Sequence, residues 1–412
     1  MDSSIRVIVT GLLAQHPCLG GVTWDYLQYP LGLARLGHDV YYFEDSGEWP
    51  YNLDGGPLGN DWVAHNCENN IKHLKETLSH FGLADKWAYR FPIDQEWYGL
   101  SDTKRRDVIR SADLLINVSG ALEHPELYRQ VPRLIYIDSD PVFTQIKIAK
   151  GEPKFRSRVE AHDLHFSFGE CLSQRVPKTD YFWQPTRQPI VLSEWRPSIP
   201  KRNVLTTIMS WTSYKPLTYG NQSYGQKDVE FARFLKLPSY VPKARLEVAL
   251  GKVNHTDWQS NEVELPFEIA HAVRNHPEWT ARDLLTFAGW DVTDATEACN
   301  GLDHYRAYIE SSMAEWSVAK NGYVIGQPGW FSCRSACYLA AGKPVIVQDT
   351  GFSSILPVKE GILSFRTVEE AAAAIYSVES NYTRHAETAR AIAEEYFDSD
   401  KILSRLIEKS IE

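Results

Sequence analysis

The chain has 412 residues, a formal net charge of −10, 43% apolar and 23% charged residues. That composition excludes a disordered chain, and the length excludes a mini-protein that needs disulfide or metal staples. It fits two or three domains, and the acidic balance argues against a general electrostatic grip on nucleic acid.

Residues 5–10 are a β-branched apolar run, expected of a strand buried on both faces. Gly11 ends it. Thr23 is the expected N-cap of a helix over 24–36, which Gly37 stops and Pro30 would kink. A second strand is expected over 39–43, a loop over 46–66 and a helix over 69–81. Residues 105–111 lead into a strand over 113–118, and further strands fall at 133–138 and 162–168. Strands alternating with helices predict a parallel, doubly wound sheet. Residues 184–202 hold Pro185, Pro189, Pro197 and Pro200 and read as a linker or crossover. After it the pattern restarts, with strands expected at 204–209, 246–250, 284–287, 322–325, 344–347 and 362–365. Helices are expected at 304–315, 332–341, 368–378, 382–397 and 401–412.

The expected organisation is an N-terminal Rossmann-like domain (1–190), a C-terminal Rossmann-like domain (191–385) and a C-terminal helix (386–412) packing back toward the first. Ligands of such sheets bind outside the carboxyl ends of the strands. The six cysteines (Cys18, Cys67, Cys171, Cys299, Cys333 and Cys337) contain no CxxC pair, so neither a zinc site nor a disulfide framework is expected. No apolar stretch is long enough for a spanning helix and no signal peptide is expected, which points to a cytoplasmic protein with reduced thiols. The 13 Trp, 21 Tyr and 16 Phe suit core packing first and stacking surfaces second.

A dinucleotide fingerprint would place G-x-G-x-x-G directly after the first strand. Here Gly11, Gly20 and Gly21 have the wrong spacing, and only Glu44 or Asp45 at the second strand's end suits a ribose hydroxyl. No P-loop sequence occurs. Residues 322–352 read strand, Gly loop, helix, Gly stop, strand, Gly loop. Gly329 allows a backbone to approach a ligand, and Ser332 stands where it would cap a helix. A helix end of this kind is an anion site suited to a diphosphate, although an ordinary strand–helix–strand unit has the same pattern.

The stretch Gln327-Pro328-Gly329-Trp330-Phe331-Ser332-Cys333-Arg334-Ser335-Ala336, followed by Gly342-Lys343-Pro344, is similar to the donor signature H-C-G-W-N-S-x-x-E-A…G-x-P of GT-B glycosyltransferases. Gly20-Gly21 and Leu33-Ala34-Arg35-Leu36-Gly37-His38-Asp39-Val40 resemble the family's opening. The family's diphosphate histidine is Gln327 here and its ribose glutamate is Ser335, so the E-x7-E pair of retaining members is absent.

The resemblance implies two Rossmann-like doubly wound α/β domains facing a central cleft, with C-terminal helices. It implies metal-independent hexosyl transfer from a nucleotide-diphosphate sugar, the only co-substrate, to a small-molecule or glycan acceptor. The residues it assigns to the diphosphate are Gly329, Trp330, Phe331, Ser332 and Arg334, with Ser213 and Lys215 from the loop after the first strand of the second half. Gln327, Gln348, Asp349, Thr350 and Gly351 fall to the donor sugar and nucleotide. Asp25 and His16 are the candidate general bases, with Asp138 and Asp140 as further strand-end carboxylates. Aromatic loops at Trp49, Tyr51, Trp97 and Tyr98 suit an acceptor pocket or plain packing. Alternatives are a nucleotide-sugar epimerase of the same fold, a non-catalytic nucleotide- or sugar-binding protein, and an NAD(P)-dependent oxidoreductase.

Overall fold

The computed structural model describes residues 4–51, 65–172, 174–251 and 265–411. They form two compact units. Unit 1 comprises Met1–Gly169, Lys178–Val191 and Phe397–Glu412, and unit 2 comprises Glu170–Pro177 and Leu192–Tyr396.

Unit 1 begins with β1 (Arg6–Thr10), α1 (Gly20–Arg35), β2 (Asp39–Glu44) and α2 (Glu68–His80). β3 (Trp87–Arg90), β4 (Trp97–Gly99), α3 (Asp102–Ser111), β5 (Leu114–Val118) and β6 (Arg133–Asp138) follow. α4 (Phe143–Ala149), α5 (Pro153–Glu160), β7 (Leu164–Ser167) and β8 (Trp183–Pro185) complete this run. Among the described residues the sheet order is β4-β3-β2-β1-β5-β6-β7-β8. β1 lies at its centre, parallel to β2 and β5, with Val7, Ile8 and Val9 fully buried. β-branched side chains suit a strand covered on both faces.

Helix α1 starts a turn earlier than expected. Leu19 is its N-cap, while Thr23 lies inside the helix and donates its hydroxyl to the Leu19 carbonyl at 3.1 Å. Gly20 and Gly21 take helical geometry, and the threonine then bonds back one turn, as threonines inside helices do. The helix runs through Pro30 to Arg35. Trp97 packs edge-on against Phe43 and carries the Arg105 guanidinium on its face at 4.3 Å, so it serves packing. The expected loop over 46–66 lies largely outside the described residues.

Unit 2 opens with β9 (Leu205–Met209), the hairpin β10 (Leu217–Tyr219) and β11 (Gln222–Tyr224), α6 (Lys227–Ala232), α7 (Leu237–Tyr240) and β12 (Leu246–Leu250). Next come α8 (Phe267–Asn275), α9 (Ala281–Phe287), β13 (Asp291–Asp294), α10 (Ala295–Ala298), α11 (Leu302–Ser311) and β14 (Ala314–Ser317). α12 (Asn321–Gly326), α13 (Cys333–Ala340), β15 (Val345–Gln348), β16 (Ile362–Phe365), α14 (Val368–Ser380) and α15 (Tyr382–Tyr396) close it. The parallel sheet has the order β13-β12-β9-β14-β15-β16, a doubly wound arrangement with β9 and β14 at the switch point. The last helix, α16 (Ser399–Ile411), belongs to unit 1, where Leu403 meets Gly32 of α1.

Two expected strands of unit 2 are helices. Residues 284–287 end α9, which a reciprocal Thr280–Asp283 capping box starts, with the Thr280 N–H donating to Asp283 at 2.8 Å. Ala281, Leu284 and Leu285 share its buried face, and the strand comes later, at β13. Residues 322–325 lie in α12, and the strand is β14, which pairs with β9 and β15. The helix expected over 304–315 ends at Ser311, leaving Ala314–Ser317 to this pairing. The aromatic content fills the core, where Trp316 stacks on Phe365 with centroids 5.5 Å apart and Phe231 meets Trp290 at 4.9 Å. Among the described residues no helix is long and apolar enough to cross a membrane, and no cluster of His, Cys, Asp and Glu suits a metal.

Candidate functional site

The glycine loops of unit 2 are built into one platform at the carboxyl ends of β14 and β15. Gln327 ends α12 in the left-handed region (φ 47°), and Gly329 follows at φ 81°. The Gly329 N–H donates to the Thr350 carbonyl at 2.8 Å, and the Thr350 hydroxyl donates to the Trp330 carbonyl. Gly351 has φ 95°, and a Cβ there would lie 2.8 Å from the Gln327 carbonyl oxygen, so glycine is required both for conformation and for space. Trp330 stacks on Tyr323 at 4.3 Å and Phe331 meets Phe352 edge-on at 5.2 Å. The two predicted loops, 327–332 and 348–351, are therefore brought together.

Ser332 takes the N-cap position of α13, yet its hydroxyl makes no capping bond. A helix start left uncapped by its own serine is open to an outside acceptor. Arg334, one residue into the helix, is nearly buried. Its Nε donates to Glu315 at 2.5 Å, its Nη1 to the Ile208 carbonyl at 2.6 Å and its Nη2 to Ser317 at 2.7 Å. The guanidinium thus pins α13 to β9 and β14, and Glu315 offsets its charge.

Beside this pinned pair stands a lysine that the sequence reading did not single out. Lys227 opens α6 and makes no hydrogen bond or ion pair with any described residue. Burial, then the neighbouring charges of Arg334 and Lys320, hold its ammonium well below the usual lysine range. Lys320 caps α12, donates to the Tyr214 hydroxyl at 3.1 Å and sits over the Tyr214 ring at 4.7 Å. Gln226, preceding Lys227, is buried with both amide atoms unpartnered among the described residues, and the Ser335 hydroxyl is equally unpartnered. No helix is expected at 227 from the sequence, so the place of Lys227 at the start of α6 is visible only in the fold. By contrast Ser213 and Lys215 are exposed, because the chain after β9 turns outward into the β10–β11 hairpin.

The side chains assigned to the donor sugar are engaged internally. Gln348 accepts from the Ala319 N–H at 3.1 Å and donates to Glu230 at 2.5 Å. Glu230 also accepts from Asn321 at 2.7 Å and Arg233 at 2.8 Å. Asp349 accepts from the Gly351 N–H at 3.0 Å, the Ser353 hydroxyl at 2.9 Å and Arg366 at 2.6 Å. Gln327 donates to the Val324 and Asp349 carbonyls at 2.9 and 3.1 Å. These side chains shape the loops, leaving backbone groups as the exposed chemistry there.

In unit 1, the loop after β1 is held by Glu44, which ends β2. Its carboxylate accepts from the Gln15 N–H at 2.7 Å, the Ala14 N–H at 2.8 Å and the Tyr42 hydroxyl at 2.8 Å. Burial nevertheless pushes Glu44 up to about 7. The loop carries His16, whose ring stacks on Tyr51 at 4.7 Å and whose Nδ1 has no partner among the described residues. Burial lowers His16 to about 4, so the imidazole is neutral at physiological pH. Asp25 is half-buried in the second turn of α1 rather than the first, because the helix begins at Gly20. The Asp25 carbonyl accepts from Gln188 at 2.8 Å. Asp138 is buried and raised to about 6 by that burial. Its oxygens accept from Thr144 at 2.7 Å and from Gln145 and Ser167 at 2.9 Å, which makes it a structural hub.

No family profile and no curated protein matches the chain. Solved structures do. An alpha-glucosyltransferase in complex with UDP-glucose and DNA containing an abasic site is similar over 100% of both chains, at 13% identity and a TM-score of 0.60. Anabaena HepE in complex with UDP and glucose is similar over 98% of this chain and 99% of that one, at 10% identity and TM-score 0.53. Sucrose-phosphate synthase from Thermosynechococcus elongatus is similar over 98% of each, at 14% identity and TM-score 0.51. At these identities the likeness is one of fold, and the chain has the α/β fold of the GT-B glycosyltransferases.

Proposed function

We propose that the protein is a glycosyltransferase that takes its sugar from a nucleotide-diphosphate donor, with unit 2 holding the diphosphate. The observation that carries this reading is the cation arrangement around the start of α13. Lys227, which makes no hydrogen bond or ion pair with a described residue, lies among Arg334, Lys320 and the Glu315 carboxylate, and burial with the two cations holds its ammonium low until an anion arrives. The uncapped α13 start and the unpartnered Gln226 and Ser335 groups supply the neutral donors such a ligand accepts from. Arg334 acts by fixing the helix, and Lys227 and Lys320 are the phosphate contacts. Fixed donors where the leaving diphosphate gathers charge are the main electrostatic requirement of the reaction.

The transferred group is proposed to be a hexose and the reaction to need no metal, the cations standing where a metal would. His16 and Asp25 remain the proposed bases of unit 1. A neutral imidazole can accept a proton, and a carboxylate such as Asp25 can do the same. The acceptor is proposed to be a small molecule or glycan, and the protein to act in the cytoplasm. Calorimetric titration with nucleoside diphosphates, followed by incubation with the matching nucleotide sugars, tests the reading. Saturable diphosphate binding with slow donor hydrolysis supports it. Binding without hydrolysis or transfer favours the non-catalytic alternative, and no diphosphate binding overturns the assignment.

A further inference from the structure

The loop between β1 and α1 is fixed peptide by peptide up to His16. The N–H groups of Leu13, Ala14 and Gln15 all meet one buried pair, Tyr42 and Glu44. Leu13 donates to the Tyr42 hydroxyl at 3.0 Å, and that hydroxyl donates to Glu44 at 2.8 Å. Ala14 and Gln15 donate to the two Glu44 oxygens at 2.8 and 2.7 Å. We propose that Glu44 is a positioning residue that sets the placement of the His16 imidazole. Its catalytic consequence rests on the function proposed above, in which His16 is a base, whereas the placement does not.

The carbonyls of the same loop are held from the other side. Asn70 of α2 is buried and donates to the Ala14 carbonyl at 2.8 Å and to the Tyr51 carbonyl at 3.4 Å. The Tyr51 N–H donates to the Gln15 carbonyl at 2.9 Å, and the Leu19 N–H to the His16 carbonyl at 3.4 Å. A Cβ at Gly11 would lie 2.5 Å from the Tyr26 ring and 3.1 Å from the Tyr42 hydroxyl, so the chain enters the loop against the same tyrosine.

The ring itself has no such hold. His16 Nδ1 is buried and has no partner among the described residues. The imidazole stacks on Tyr51 with centroids 4.7 Å apart, and Tyr51 belongs to the frame just described. An imidazole that no hydrogen bond at Nδ1 orients takes its direction from its stacking partner and from the backbone that carries it. Here both lead back to the peptides that Glu44 holds. A buried carboxylate is costly unless donors fill its lone pairs. Three donors fill this one, and two of them are peptide groups immediately before His16. Glutamine cannot reproduce the pattern, because its NH2 must face one of the donors.

The test follows UDP-glucose hydrolysis by the full chain. The variants are Glu44→Gln, Tyr42→Phe, His16→Asn and the Glu44→Gln/His16→Asn double variant, each checked by thermal melting and by calorimetric UDP stoichiometry. Tyr42→Phe keeps the carboxylate and removes only the acceptor of Leu13, so it remains informative should Glu44→Gln fail to fold. A displacement of about 1 Å at a reacting group can cost about 10²-fold, so Glu44→Gln should lower kcat about 10- to 100-fold with KM unchanged. Tyr42→Phe should give a smaller loss of the same kind. In the His16→Asn background Glu44→Gln should cost nothing further, since the two act as one unit. Independently of turnover, carbethoxylation of His16 by diethyl pyrocarbonate, read by peptide mass, should rise several-fold in Glu44→Gln while that of the exposed His276 holds. Losses that multiply in the folded double variant, or an unchanged kcat in Glu44→Gln or His16→Asn, overturn the proposal. If the wild type hydrolyses no nucleotide sugar, the proposed function fails instead. The labelling then decides the placement alone, and unchanged labelling of His16 overturns it.

Discussion

Replacing Lys227 by methionine separates a ligand-binding cation from a structural one, because the two roles predict opposite signs. In the empty protein Lys227 has no hydrogen-bond partner among the described residues, and Arg334 and Lys320 repel it. Methionine keeps the aliphatic stem and removes the desolvated charge, so Lys227→Met should leave the melting temperature unchanged or raise it. A phosphate contact from an ammonium is a charge-assisted hydrogen bond of about 1.5–3 kcal/mol. Losing it should weaken UDP binding by about 10- to 150-fold, at 1.4 kcal/mol per tenfold. The pH dependence has a definite sign. Binding an anion raises the lowered ammonium value, so UDP binding takes up protons, and affinity falls as pH rises past the empty site's value. Calorimetry in two buffers of different ionisation enthalpy reads the uptake, and the variant should lose it. Unchanged UDP affinity, or a loss of stability above about 2 kcal/mol, would show that Lys227 has a structural partner and no ligand role.

Glu44→Gln should destabilise the loop after β1 by about 1–3 kcal/mol, since an amide NH2 must then face a donor that Glu44 accepts from. Glu44 is raised from 4.5 to about 7, so its stabilising term is full below pH 4.5 and lost as pH rises through 7. That term is about 3 kcal/mol, so urea melts at pH 5 and pH 8 should show a stability gap between wild type and Glu44→Gln that narrows at the higher pH. Gly351→Ala should cost about 1–3 kcal/mol and weaken UDP binding, with calorimetric melting and titration as readouts; a neutral result would mean that the loop relaxes around the methyl group. Of His16→Asn and Asp25→Asn, one should lower turnover about 10²–10⁴-fold while UDP affinity holds, and near-normal turnover in both would remove both from the role of base.

Much of the fold was legible because both large sheets are parallel, apart from the antiparallel edge strand β4, and their central strands are buried. β1, β5 and β6 are short, mostly apolar runs whose length and β-branched content mark them as buried strands, and β12 alternates as Leu246-Glu247-Val248-Ala249-Leu250. The failures have local causes. Thr280-x-x-Asp283 is a capping signature lying just before a run that also resembles a short strand. Val324 and Ile325 favour a strand by propensity, but Asn321 ties that turn to Gly225 and Glu230, and β14 takes the central place. In the candidate site, glycine positions could be read because their reason is conformational and nearly local. Partner choice could not. Arg334 stands at the right place for a phosphate contact, and only the fold reveals that Glu315, Ile208 and Ser317 already hold it.

That division of labour follows from the strength of the site's field. If Arg334 faced the ligand unpaired, three cations would crowd the start of α13, where the helix dipole is already positive. Their mutual repulsion would destabilise the empty protein. With Glu315 beside it, Arg334 costs little and becomes a rigid post. In the proposed site Lys227 and Lys320 are then the cations left to meet the diphosphate. Lys320 donates to the Tyr214 hydroxyl and lies over the Tyr214 ring, which steadies its ammonium. In the proposed anion site one cation is held over an aromatic ring and the other is the first residue of a helix. The same reasoning predicts that Glu315→Gln, which strips the counter-charge from Arg334, should destabilise the empty protein and tighten UDP binding. Both effects are measurable in one thermal-shift series with and without UDP. A variant that loses stability with no gain in affinity would show that the charge of Arg334 does not reach the ligand.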